Sequence, residues 1–307
     1  MLKAIKNQEI FSKWGRLLLL SILLFVLFYQ MNQFDWSNAK KVRIQSVHYL
    51  LIAWLLVGLN WYFEWRKWTV GMRSITDFSD SILFKGFYAG MLAGFLTPSA
   101  LGNFLGRITA FHPEWRSKVT ATTLVGNGAQ FWVSLFFGVL SLFLVQDFPF
   151  VFQSNWMRIL LISLVLIVGL LYFTIGNSGF LKKLIAKRVS SLAAVSFSIR
   201  LQFLFLSIFR YLTFSLQFFL VIKTFQPEIK LEILFWVWQL YLWTTLSPSL
   251  FLGKLFIRET FAVFILAQAG VELPVALLSS ILIWLMNNAL PSVFAYFKWK
   301  QNDLVEA

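Results

Sequence analysis

Five ionisable side chains stand inside stretches of sequence that are otherwise apolar: Arg107, Arg210, Lys254, Arg258 and Glu259. Four cations against one carboxylate suit the binding of an anion better than proton transfer. Hydrolysis or group transfer needs paired carboxylates, a nucleophile beside a base, or a metal ion. Glu259 has no acidic neighbour within these stretches. The two histidines, His48 and His112, are too few for a His-built metal site, and there is no cysteine. No Gly-rich, phosphate-cradling loop ending in Lys and a hydroxyl residue occurs, so ATP-driven transport by this chain is not expected. No catalytic residue, metal or cofactor is expected, and the chain does not read as an enzyme.

Three of the cations belong to two segments that resemble each other. The first runs Thr97-Pro98-Ser99-Ala100-Leu101-Gly102-Asn103-Phe104-Leu105-Gly106-Arg107. The second runs Ser247-Pro248-Ser249-Leu250-Phe251-Leu252-Gly253-Lys254-Leu255-Phe256-Ile257-Arg258. Each has a hydroxyl residue, Pro and Ser, then a Gly with an Arg five positions later. Asn103 and Arg107 are four apart, as are Lys254 and Arg258, so each pair lies on one face of a helix. Pro interrupts the preceding helix and fits the first turn of the next. Thr97 and Ser247 are placed to cap those second helices. A helix that begins inside a membrane aims free N–H groups and a positive dipole end at its surroundings, which makes an anion site. The bland alternative is a pair of kinked helices whose cations snorkel to the headgroups.

The elements that would position these residues are membrane helices. Of the 307 residues, 59% are hydrophobic and 13% charged, against about 45–50% and about 25% in soluble domains. Apolar runs near the ~20 residues needed to cross hydrocarbon recur along the chain. They are continuous rather than alternating, which favours helices over a barrel. The expected fold is an all-α polytopic membrane protein forming a single transmembrane domain over 1–307. It has about six full spans, near 14–31, 47–65, 119–146, 157–176, 200–222 and 274–297. Two Pro-broken helical hairpins, about 81–111 and 232–270, form an inverted repeat, an arrangement used by many transporters. The basic N-terminus followed by an apolar run resembles a signal peptide, but no convincing cleavage site follows, so 14–31 reads as an uncleaved span.

The net charge of +14 sits mainly in loops, where it sets orientation and contact with anionic lipid and implies no nucleic-acid partner. If both hairpins enter and leave on one side, about 17 cations fall on one face of the membrane and about 6 on the other. The richer face is cytoplasmic by the positive-inside rule, with both termini on it. Trp14, Trp65, Trp68 and Trp299 flank span ends as interfacial anchors. Polar residues recur at helical spacing as Thr123, Asn127, Gln130 and Ser134, and again as Ser207, Arg210, Thr213 and Gln217. Asn287 and Asn288 precede Pro291. These stripes face protein or a cavity, as interhelical hydrogen bonds or as substrate contacts.

At the two breaks the sequence resembles the lysylphosphatidylglycerol synthase transmembrane-region family, or flippase-like domain family. Pro98, Gly102 and Arg107 stand in the region of its first motif, Pro-x-x-x-Gly-Glu-x-x-Arg. Pro248, Gly253, Arg258-Glu259, Gly270-Val271 and Pro291 follow the order of its second half. The sequence departs at Asn103, where the family has Glu, and Arg107 is one position late. Phe256 stands where a Gly usually precedes the Arg-Glu pair. The tail from Lys298 to Ala307 is too short for the family's soluble aminoacyl-transferase domain, so lysyl-lipid synthesis is not expected of this chain.

The resemblance implies a flippase or transporter of an anionic or lipid-linked headgroup in a bacterial-type plasma membrane. Its expected partners are a phospholipid or lipid-linked substrate and the surrounding membrane lipids, with a second copy or an enzyme as protein partner. The expected binding set is Pro98, Gly102, Asn103, Arg107, Arg210, Pro248, Gly253, Lys254, Arg258 and Glu259. Arg107 and Arg258 would grip the phosphate, and Glu259 would pair with a cation. Thr123, Asn127, Gln130 and Asn287 would line the cavity. The alternative is a non-transporting membrane subunit that docks or regulates a lipid- or glycan-modifying enzyme.

Overall fold

Helices dominate the computed structural model, which describes residues 42–96, 101–145, 154–174, 195–247 and 256–305, with the isolated positions 21 and 32. The order is α1 (Val47–Arg73), α2 (Asp80–Leu96), α3 (Leu101–Thr109), α4 (Pro113–Leu144), α5 (Asn155–Thr174), α6 (Phe197–Phe225), α7 (Ile233–Leu246), α8 (Ile257–Gln268) and α9 (Leu273–Trp284). A π turn (Leu285–Ala289) then joins α9 to α10 (Leu290–Val305). The expected first span, 14–31, lies outside the described residues.

Four helical segments are long and apolar enough to cross a membrane: α4, α5, α6 and the segment Leu273–Lys298 that runs through the π turn. Their unpacked faces are apolar as well. Ile159, Leu160, Leu166, Ile167 and Leu170 on α5 are all exposed. A soluble protein rarely leaves so continuous an apolar face in water, and hydrocarbon is the solvent that suits it. The chain is an all-helical, multi-span integral membrane protein.

Local chemistry sets the helix ends. α4 starts with Pro113 in its first turn and Glu114 beside the positive dipole end. The Ser196 side chain accepts a hydrogen bond from the Ile199 N–H at the start of α6. Ser247, extended at φ −73° and ψ 141°, ends α7, as a break there requires. α1 departs from its expected span: it continues two turns beyond residue 65, to Arg73.

Helix pairs are held by close approach and by polar side chains that reach across, as expected where lipid offers no competing hydrogen bonds. α1 packs along α6, where Gln217 donates to the Ala53 carbonyl at 3.1 Å. α2 and α3 form a tight hairpin. On α4, Gly138 lets α7 approach so closely that a Cβ there would stand 2.5 Å from the Leu242 Cβ. Gln239 of α7 donates to the Gly138 carbonyl at 2.7 Å and the Ser141 hydroxyl at 2.6 Å. Trp132 on α4 donates to the Val165 carbonyl of α5 at 2.9 Å. Two cations counted among loop charges in the sequence, Lys67 and Arg200, are buried within this packing. Arg200 donates to the Val195 and Tyr172 carbonyls, bonds that satisfy a charge removed from water.

Candidate functional site: a cationic cavity around Glu64

One carboxylate organises the centre of the molecule. Glu64, on the part of α1 that the sequence assigns to the end of a span, is buried. Its Oε1 pairs with Arg107 of α3 at 2.9 Å. Its Oε2 pairs with Arg210 of α6 at 2.8 Å and with Lys67, one turn along α1, at 2.9 Å. Three cations on one carboxylate leave a formal excess of two positive charges. In a medium of low dielectric such an excess attracts an anion strongly.

From Arg210 a chain of side-chain bonds continues. Arg210 Nε donates to Asn60 Oδ1 at 3.0 Å, and Asn60 Nδ2 donates to Asn287 Oδ1 at 2.8 Å. Asn287 Nδ2 then donates to Gln217 Oε1 at 2.7 Å. Asn60, Glu64 and Lys67 recur at spacings of four and three, a single polar stripe on α1. That periodicity is the signal in the sequence for this site, although Lys67 counts there as a loop cation and Glu64 is not singled out. The acid inside the apolar core is therefore not Glu259 alone, as expected, but also Glu64.

Beside this network lies a cavity of about 320 Å³, within the range of small-molecule sites. Arg107 and Asn103 of α3 reach it together, as their spacing predicts. Asn127 of α4, Arg210 of α6, and Asn287 with Asn288 of the π turn complete its polar wall. Successive residues of an α-helix point about 100° apart. The wider π turn reduces that angle, and both asparagines face the same space. Arg107 lies with Cζ 4.7 Å from the centre of the Trp68 ring, a cation–π contact that fixes the guanidinium. Its Nε and the Asn103 Oδ1 are buried without a hydrogen-bond partner among the described residues. Asn103 Nδ2 donates to the Gly90 carbonyl at 3.2 Å. A separate void of about 10 Å³, also lined by Arg107 and Asn127, lies beside Lys67 and Thr123.

The other expected site residues fall elsewhere. Thr123 donates to the Val119 carbonyl of its own helix at 2.7 Å. Gln130 is not among the residues lining the cavity, and neither of its side-chain polar atoms has a partner among the described residues. Gly102 is buried on α3. Arg258 does not join Arg107. Its Nε donates to Ser280 of α9 at 3.1 Å, and its NH2 pairs with Glu259 at 3.0 Å; the Ser280 hydroxyl donates to the same Glu259 oxygen at 3.1 Å. This second cluster is separate because α8 packs against α7 and α9, neither of which supplies a residue to the cavity wall. Pro98, Pro248, Gly253 and Lys254 lie outside the described residues.

His112 is exposed at the start of α4, 3.5 Å from Glu114. Among the described residues no three His, Asp or Glu side chains gather in a metal-binding group. No family model, curated protein or solved structure matches this chain.

Proposed function

We propose that this protein binds an anionic headgroup in the cationic cavity and moves it across the membrane, as a flippase or transporter and not as an enzyme. The observation that supports the reading is the ratio of charges at Glu64. One carboxylate holds Lys67, Arg107 and Arg210 in place without neutralising them, so a second anion completes the site. A phosphate fits the donors that face the cavity: the two guanidinium groups supply planar, charge-assisted bonds, and Asn103, Asn127, Asn287 and Asn288 supply neutral ones.

The proposed transport cycle uses the two Pro-broken hairpins as an inverted repeat. On this reading both termini lie on the cytoplasmic face, which the cation distribution supports, and the membrane is a bacterial-type plasma membrane, as the family resemblance implies. The flippase-like domain family is the proposed affiliation. Its expected carboxylate is replaced at Asn103, yet Glu64 brings a carboxylate to the same cavity from α1. At Phe256, where the family resemblance calls for Gly, φ is 69°, a backbone conformation that glycine favours.

The test is transbilayer movement of fluorescent phosphatidylglycerol in reconstituted vesicles. Wild-type protein is expected to accelerate it, and Arg210→Ala to return it to the protein-free rate. Equal rates for wild type and Arg210→Ala would remove the cavity from the mechanism. No acceleration by wild type, with an enzyme that co-purifies stably, would favour the docking subunit instead.

A further inference from the structure

A second cavity, of about 470 Å³, is a groove between α1, α2 and α10. Its walls are apolar and aromatic, with Trp54, Phe84, Leu290 and Phe294 among them. All four of those side chains are also exposed, so the groove opens at an apolar surface of the protein. Gly58 sits in its wall, and a Cβ there would meet nothing within 4 Å.

The groove and the cationic cavity adjoin. Trp61, Phe87 and Met91 line both. At this boundary the Trp61 indole N–H is buried and has no acceptor among the described residues. A buried donor left unpaired is unfavourable, so an acceptor at this point has a direct thermodynamic role.

We infer that the groove holds a hydrocarbon chain of the same molecule whose anionic headgroup occupies the cavity, making the ligand an acylated phosphate. The inference rests on the headgroup reading above and narrows it. A free anion fills only the polar half. A neutral lipid fills only the groove and leaves the excess charge at Glu64 uncompensated. A phospholipid supplies phosphate to Arg107 and Arg210, an ester oxygen to Trp61 at the boundary, and a chain to the space over Gly58. The opening at an apolar surface lets such a ligand enter from the bilayer without passing through water.

Gly58→Trp provides the test, because a Cβ there meets nothing within 4 Å, Gly58 lines the groove and it is not among the residues lining the cationic cavity. Phosphatidylglycerol with a diazirine in its acyl chain is cross-linked to the protein in nanodiscs, and the labelled peptides are mapped. Binding of glycerol 3-phosphate, the same headgroup chemistry without a chain, is measured by calorimetry on the same samples. In wild type, labels should concentrate on α1, α2 and α10. Gly58→Trp should reduce them by about tenfold and leave glycerol 3-phosphate binding unchanged. Labels spread equally over α5 and unaffected by Gly58→Trp would indicate annular lipid only and overturn the groove assignment, while retained glycerol 3-phosphate binding would leave the headgroup site standing. Failure of wild type to bind either probe would remove both.

Discussion

The Arg210 guanidinium reaches from α6 to the Glu64 carboxylate on α1 at 2.8 Å, joining two helices that pack along each other. Arg107 takes the other oxygen of the same carboxylate. Glu64→Gln removes the charge that lets three cations coexist. Breaking a buried pair by neutralising one partner generally costs about 3–5 kcal/mol. Thermal unfolding in a fixed detergent should show a loss of this order, and Glu64→Gln with Arg210→Gln should recover part of it. A single variant as stable as wild type would contradict the network.

The two arginines should separate binding from folding. The Arg107 side chain is 5% exposed and stacked on Trp68, whereas that of Arg210 is 25% exposed. Arg107→Ala should therefore lower both the melting temperature and headgroup binding. Arg210→Gln should reduce phosphatidylglycerol binding at least about tenfold, the scale of one charge-assisted bond, with a smaller fall in melting temperature. Lipid-binding titrations alongside melting curves compare the two.

Two glycines make opposite predictions for the same substitution. A Cβ on Gly106 would strike the Ala89 carbonyl across the α2–α3 hairpin. Gly106→Ala should force the hairpin apart, displace Arg107, and lower stability by about 1–3 kcal/mol. Gly58→Ala meets nothing within 4 Å and should raise stability by roughly 0.5–1 kcal/mol through reduced backbone freedom. Differential scanning fluorimetry on both proteins is sufficient.

Phe256 precedes α8 with φ at 69°, the one non-glycine with positive φ among the described residues. Left-handed backbone costs an L-residue about 1–2 kcal/mol. Its side chain is 41% exposed, so little packing is lost on truncation. Phe256→Gly should stabilise the protein by about 1 kcal/mol, whereas Phe256→Val should destabilise it. Unfolding midpoints of the two variants test the sign.

Much of the fold was legible because apolar run length is a one-dimensional signal: α5 and α6 lie within a few residues of their expected spans, and α4 covers most of its own but begins earlier, at Pro113 instead of 119. Asn103 and Arg107 could be paired from spacing alone, and the cavity receives both. Glu64 and Lys67 were missed for a physical reason. A charge near the end of an apolar run reads equally well as a headgroup anchor or as a continuing helix, and α1 continues. Arg200 misleads in the same way, since the carbonyls that satisfy it come from Tyr172 and Val195. That Arg258 pairs locally with Glu259 and Ser280 depends on where α9 packs, which no periodicity within α8 encodes.

The π turn at Leu285–Ala289 inserts one surplus residue into an otherwise continuous rod from Leu273 to Lys298. Every position after it is dialled round by about 100° relative to an uninterrupted α-helix. The compass bearing of Pro291 and Phe294, and with it the third wall of the apolar groove, is thus set upstream of α10 itself. A one-residue deletion within 285–289 would leave the composition of that rod almost intact while swinging its aromatic edge away from α2.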